Sequence, residues 1–435
     1  MDHYYHAHRV VSEKCKGHRT CLRNCPTEAI RVRNGKAVFS EELCIDCGIC
    51  INVCPSGAVE PISDPLKDIT QFKYRVAVPD PVLYSQFSPD IHPYVIHLAL
   101  LKIGFHKVVD LNTSATAVGE ATARYISEHP EQVPLISSHC PTIVRLIQVR
   151  YPDLVELISP IDVPREVTAR EIRKTLPAEL DIPSEDIGII YISPCPAKIV
   201  SMKQPADKEK SWYDGAVSIT DMFTILYPSV IQIAKNFNPG MVPEDFNFTS
   251  GWAVLGGITA SKGTESWLAV SGLNHVMRIF DDIENSRLSK IDFVEAEACM
   301  LGCVGGPFFV ESPYVARSNF MKQMERYHKE VPIDKDDLEQ KMAGGDYMLE
   351  NRILPRPTRY LETDLLKSIR RMREKERIYQ KLMQVDCGLC GSPNCMAFAE
   401  DVVRGEASLT DCVFLGGPAQ VGKEILASRR NLETG

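Results

Sequence analysis

The stretch Cys44-Ile45-Asp46-Cys47-Gly48-Ile49-Cys50-Ile51-Asn52-Val53-Cys54-Pro55 decides how the N-terminal end folds. Its C-x2-C-x2-C-x3-C-P spacing puts three thiols on one tight loop and returns a fourth after a turn. Zinc sites favour two separated C-x2-C knuckles, which this run lacks. Upstream the register repeats as Cys15-x2-His18-x2-Cys21-x3-Cys25-Pro26, with His18 where the second cysteine belongs. The segments that follow, Thr27-Glu28-Ala29-Ile30 and Ser56-Gly57-Ala58-Val59, match as well. Working outward, the chain of 435 residues holds 15 cysteines. Its first residues, MDHYYHAHRV, show no apolar export signal, so a cytoplasmic protein is expected. Cytosolic cysteines in that number are read as metal ligands rather than disulfides.

The C-x2-C-x2-C-x3-C-P run resembles that of the bacterial ferredoxins, which bind cubane [4Fe–4S] clusters. In that pattern the fourth cysteine serves the other cluster of the pair. Crossed ligation then assigns Cys15, His18, Cys21 and Cys54 to one cluster, and Cys44, Cys47, Cys50 and Cys25 to the other. Neutral imidazole in place of thiolate raises a cluster's potential. Near the C-terminus, Cys387-x2-Cys390-x4-Cys395 is followed by Cys412. Gly388, Gly391 and Pro393 let this loop curl round a cluster, and Met396–Gly405 reads as a helix that sets Cys412 back against it. The pattern resembles the small four-cysteine cluster domain of some membrane electron-transport subunits and corrinoid iron–sulfur proteins. His3, His6 and His8 could bind metal but read rather as a mobile tail.

Hydrophobic residues make up 44% and charged residues 24%, enough to build a core. The net charge of −8 argues against a nucleic-acid surface, and no apolar run is long enough to span a bilayer. Between the cysteine-rich ends, strand and helix signals alternate. Tyr74–Val78, Lys107–Leu111, Val133–Ile136, Ile189–Ile192 and Ile291–Val294 read as strands. Pro93–Ile103 and Ala117–Glu128 read as helices. This is an α/β pattern with largely parallel sheets. No dinucleotide or Walker motif appears. The expected divisions are 1–72, a two-cluster α+β domain; 73–358, the α/β domain; 359–384, a linker helix; and 385–435, a small helical cluster domain. The linker's apolar stripe (Leu365, Ile369, Met372, Tyr379) is expected to pack on its neighbours.

The four remaining cysteines sit at expected strand-to-loop junctions: Cys140 in SSHCP, Cys195 in SPCPAK, and Cys299 and Cys303 in EAEACMLGCVGGP. The Cys-x3-Cys spacing puts the last two thiols on one helical face. These segments resemble, in order, the three signature loops of the [FeFe]-hydrogenases, and the resemblance extends over nearly all of residues 73–330. It implies that Cys140, Cys195, Cys299 and Cys303 hold a cubane cluster. Cys303 would bridge it to a di-iron subsite carrying CO, cyanide and azadithiolate. Lys198 would hydrogen-bond a cyanide, and Pro194 would lie against the cofactor. Four [4Fe–4S] clusters would then use every cysteine.

The departures are as informative. His139 stands where the family carries a proton-relaying cysteine. Ser201 replaces a glutamate, and Ser193 and Glu297 replace methionines. Glu120 is the nearest match to a relay glutamate. Intact ligands with an altered relay resemble the sensory branch of the family. The expectation is therefore a hydrogenase of low activity that splits H2 into protons and electrons and passes the electrons through its clusters. A ferredoxin or signalling partner and dedicated maturation proteins are implied, and a homodimer is left open. Two alternatives stand beside it: a catalytic subunit of a multi-subunit ferredoxin-linked hydrogenase, and a non-enzymatic iron–sulfur assembly or electron-transfer protein without the di-iron subsite.

Overall fold

The structure is a computed structural model that describes residues 4–244, 246–248, 251–260, 266–329, 334–356, 361 and 364–415. It divides into two units. One comprises His8–Cys44, Ile49–Glu60 and the chain from Arg356 onward; the other comprises the N-terminal residues to Ala7, Ile45–Gly48 and Pro61–Pro355.

The first unit joins the two ends of the chain. Strands β1 (His8–Val10) and β4 (Val59–Pro61) form one two-stranded sheet, and β2 (Ile30–Arg33) and β3 (Lys36–Phe39) an antiparallel hairpin. Asn34 and Gly35, both at positive φ, make its two-residue turn. The sequence repeat is also a conformational one. Gly17, Arg19 and Glu28 have positive φ, and so do Asp46, Gly48 and Gly57 at the matching places of the second copy. After each cysteine–proline pair a backbone N–H meets sulfur: Ala29 donates to Cys25 Sγ at 3.2 Å and Ala58 to Cys54 Sγ at 3.2 Å. The core is small: Leu22, Ile30, Val32, Ala58 and Val59 around the cysteines. His8 is not in a mobile tail. It is buried in β1 with its ring edge-on to Phe39, because the strand needs that position filled. His3 lies outside the described residues.

The C-terminal cysteine loop docks on the hairpin of the same unit. Val32 N–H donates to Gly391 O at 2.8 Å, and any side chain at Gly391 would strike the Val32 carbonyl. Arg31 and Arg33 both reach the buried carboxylate of Asp401 at 2.6 Å, and Ser392 donates to it as well. The helix Cys395–Val403 follows the loop. The expected linker helix runs over Leu365–Tyr379, capped by Asp364; residues 362 and 363 lie outside the described set. Its stripe is only partly covered. Ile378, Tyr379 and Leu382 pack with Phe398 and Val403, whereas Leu365, Ile369 and Met372 are exposed, because the small core ends at the helix's last turns.

The second unit is the α/β body. Strands β5 (Tyr74–Pro79), β6 (Lys107–Val108), β8 (Ile187–Ser193) and β9 (Gly215–Ser218) make a four-stranded parallel sheet in the order β6-β5-β8-β9; β7 (Leu135–Ile136), β10 (Trp267–Ser271) and β11 (Phe293–Glu297) make a three-stranded parallel one in the order β10-β11-β7. Burial on both faces gives β8 its continuous apolar run. Helices Pro93–Lys102, Asn112–Glu128 and Pro141–Arg150 lie in the sequence between strands, as parallel connections require. No described helix is long and apolar enough to cross a membrane.

Candidate metal centre

Three strands of the α/β body end in cysteine loops: β7 leads to Cys140, β8 to Cys195, and β11 to Cys299 and Cys303. This is the end of a parallel sheet where loops gather functional groups. The segment 299–303 is not helical, contrary to the face expected from its spacing. It is a turn with Leu301 and Gly302 at positive φ, entering a single 3-10 turn at Cys303–Gly305. A side chain at Gly302 would strike Val254 and Leu255, so the turn is forced tight against that backbone.

The four thiols are close enough to perturb one another. Burial, then Glu297 and Cys195, push Cys140 up to about 12. Burial, then Cys140 and Cys195, raise Cys299, and Cys47 adds to that shift. Thiols held protonated in a dry site bind metal by releasing protons. Cys47 sits on Ile45–Gly48, which packs on this body: a side chain at Gly48 would collide with Pro307 and Pro196. Asp46 anchors the segment, accepting from Arg145 at 2.6 Å beside His6 at 3.0 Å.

The surroundings of Cys303 Sγ are ionisable. Lys198 Nζ lies 3.5 Å away, His139 Nε2 3.8 Å and Glu297 Oε2 3.9 Å. His139 Nδ1 and Glu297 Oε1 are buried with no partner. Burial, reinforced by Lys198 and Arg165, pushes His139 well below its usual range, so the imidazole is neutral. Burial raises Glu297 to about 8, with Glu295 adding to it. Burial opposes the charge on Lys198, yet Asp80, 2.6 Å away, outweighs it and holds the ammonium. Of the expected residues, Pro194 supports the loop through its carbonyl, which accepts from Phe308 N–H. Ser201 accepts from Arg165 and donates to the Lys198 carbonyl. Glu120 is exposed, outside this cluster.

Sequence reasoning missed Asp80, Tyr191 and Arg165. Asp80 follows β5 and carries no motif; only the pairing of β5 with β8 brings it to Lys198. A buried ammonium, convergent thiols and two orphaned polar atoms are a donor set suited to an anionic metal group with polar ligands.

The other cysteine sets are also grouped. Cys15, His18, Cys21 and Cys54 line one pocket, with His18 itself exposed. Cys390 is raised by burial, then by Cys387 and Cys412, and Cys395 neighbours Cys387. Arg23 and Arg33 donate to the carbonyls of Cys387 and Cys390.

Comparison with known proteins gives three family matches: the iron-only hydrogenase large subunit, C-terminal domain, over residues 73–262 and 256–307; the 4Fe-4S dicluster domain over 13–58; and a putative Fe-S cluster domain over 382–414. Among relatives, the NADP-reducing hydrogenase subunit HndD of Solidesulfovibrio fructosivorans is 24% identical over 59% of this chain and 46% of its own length. Iron hydrogenase 1 of Clostridium pasteurianum is 23% identical over 63% of this chain and 50% of its own. The chain thus spans about half the length of these relatives. A solved [FeFe]-hydrogenase from Chlamydomonas reinhardtii shares the fold at 16% identity and a TM-score of 0.50, over 67% of this chain and 97% of that one. The first and largest family match covers more than half of the sequence, in the α/β body whose strand ends carry these cysteines, and the chain is therefore a member of the iron-only hydrogenase large-subunit family.

Proposed function

We propose that this protein is an H2-responsive [FeFe]-hydrogenase-type iron–sulfur protein of slow turnover. Cys140, Cys195, Cys299 and Cys303 hold a cubane cluster in this reading. Three further clusters sit on Cys15/His18/Cys21/Cys54, Cys25/Cys44/Cys47/Cys50 and Cys387/Cys390/Cys395/Cys412. A di-iron CO/cyanide/azadithiolate subsite, when bound at Cys303, supplies the open metal position at which H2 is split. The chain's own contribution is to bind, orient and dry that position. Lys198 offers a buried ammonium beside the Cys303 sulfur. Val304 and Phe308 are fully buried on the same loop and exclude water. Besides the Lys198 ammonium, His139 Nε2 and Glu297 Oε2 lie within 4 Å of that sulfur and can hold a proton.

The observation that carries the reading is this ring around Cys303: a buried lysine with an imidazole and a carboxyl, and no thiol relay. A neutral, bulky imidazole is a weaker proton carrier than a thiol poised at the reacting amine, and relay groups are worth roughly 10²–10⁴ in rate. Electrons leave by way of Cys47, which neighbours Cys299. A redox or signalling partner receives them.

The test is infrared spectroscopy after maturation, followed by H2 oxidation with an artificial dye. CO and cyanide bands with slow oxidation support the proposal. Turnover matching fast hydrogenases points instead to a catalytic subunit, and absent bands to a cluster protein without the di-iron group.

A further inference from the structure

Asp80 belongs to no cysteine loop, yet it grips the lysine that faces Cys303. It lies just past the end of β5, beside the end of β8, where Pro79 pairs with Ile192. Its own N–H donates to Ile192 O at 3.1 Å, and its Oδ1 accepts from Val82 N–H at 3.0 Å, so the carboxyl cannot swing. Its Oδ2 accepts from Tyr191 OH at 2.5 Å and from Lys198 Nζ at 2.6 Å. Asp80, Tyr191 and Lys198 are all at most 2% exposed.

Lys198 is long and flexible, and a free ammonium in a dry pocket would choose its own partner. Here two of its surroundings are set. Asp80 takes it from one side, and Cys303 Sγ lies 3.5 Å away on the other. The position three residues after Lys198, where the signature loop would carry a carboxylate, is Ser201, which bonds to backbone and arginine instead. The carboxylate is supplied from another strand.

We infer that Asp80 is a positioning residue that holds Lys198 as a hydrogen-bond donor to the Cys303 sulfur, and so raises the potential of the cubane cluster which that sulfur ligates. A donor to a ligating thiolate withdraws electron density and favours the reduced cluster. Tyr191 and the Val82 N–H complete the carboxylate's shell, so the buried pair is satisfied rather than merely neutralised. The inference rests on the reading that Cys303 ligates a cubane, but not on the presence of a di-iron group.

The experiment uses full-length protein loaded with cubanes but not matured. The cubane of interest is identified as the EPR component lost in Cys299→Ala. Without that component, the functional proposal fails; with it, the inference is tested separately. Electron–nuclear double resonance in H2O and D2O reads an exchangeable proton coupled to that cubane. The coupling is expected in the native protein, lost in Asp80→Ala and in Lys198→Gln, and retained in Asp80→Glu. The double variant Asp80→Asn/Lys198→Met removes both charges together, so its redox titration reports the lost hydrogen bond, and its midpoint potential is expected to fall. If Asp80→Ala does not fold, as judged by iron content and circular dichroism, the double variant decides. A coupling that survives Asp80→Ala, or an unchanged potential in the double variant, overturns the inference.

Discussion

The two units hold their cysteines in opposite ways. In the unit that holds residues 8–44 and 49–60, cysteines lie a few residues apart on loops shaped by positive-φ residues and N–H···S bonds, over a core of a few small apolar groups. In the α/β body, Cys140, Cys195, Cys299 and Cys303 come from three strand ends far apart in sequence, over a deep core of Val, Ile and Phe. The first arrangement has little core to fold on without a staple; the second is a packed fold that carries its cysteines at strand ends.

Metal removal tests that contrast most sharply. Stripping iron by chelation should unfold residues 8–44, 49–60 and 387–415, while the strands of 74–79 and 187–193 keep their amide protection. Hydrogen exchange followed by mass spectrometry reads both at once. Equal loss of protection in the two units would erase the distinction.

The next effect is on stability alone. Asp401→Ala leaves Arg31 and Arg33 facing each other in a buried site. Breaking a buried pair by removing one partner costs about 3–5 kcal/mol. Chemical denaturation of cluster-loaded protein should show this loss in the end-built unit, with the α/β body's transition unmoved. Loss of less than about 1 kcal/mol would place the pair among ordinary surface bridges.

A milder change addresses the centre. His139→Cys should raise H2 oxidation by less than about 10²-fold, because Ser201 leaves the rest of the relay altered. Samples matched by infrared intensity make the comparison fair, and a slower variant would show that His139 already relays well. The smallest effect concerns the first cluster. His18→Cys should lower its midpoint potential, read by redox titration, whereas an unchanged titration and EPR spectrum would remove His18 from the ligand set.

The same contrast explains what could be read in advance. The cysteine runs, the β8 strand and the helices expected at 93–103 and 117–128, found at Pro93–Lys102 and Asn112–Glu128, are local patterns, and local patterns are legible. The parallel sheets followed from alternation of strand and helix signals. The turn at 299–303 was misread as helical because Cys-x3-Cys spacing fits a helix face equally well, whereas Leu301 and Gly302 stand at positive φ. Asp80 and Tyr191 were invisible because strand pairing brings them together, and Arg165 because its helix delivers it to the His139 carbonyl; none is placed by its neighbours in sequence. His8 was misjudged because a three-residue strand carries too little pattern to recognise.

The Arg31/Arg33–Asp401 clasp also has a meaning in time. A ribosome adds roughly 5–20 residues each second. Arg31 and Asp401 stand 370 residues apart in the sequence, so the hairpin must wait while the α/β body between them is synthesised. Its partner loop, with Ser392 and Gly391, is made only after that body. During that interval the cysteines of residues 15–54 are translated but the loop that packs on the hairpin does not yet exist. Completion of this unit therefore follows synthesis of the α/β body rather than preceding it.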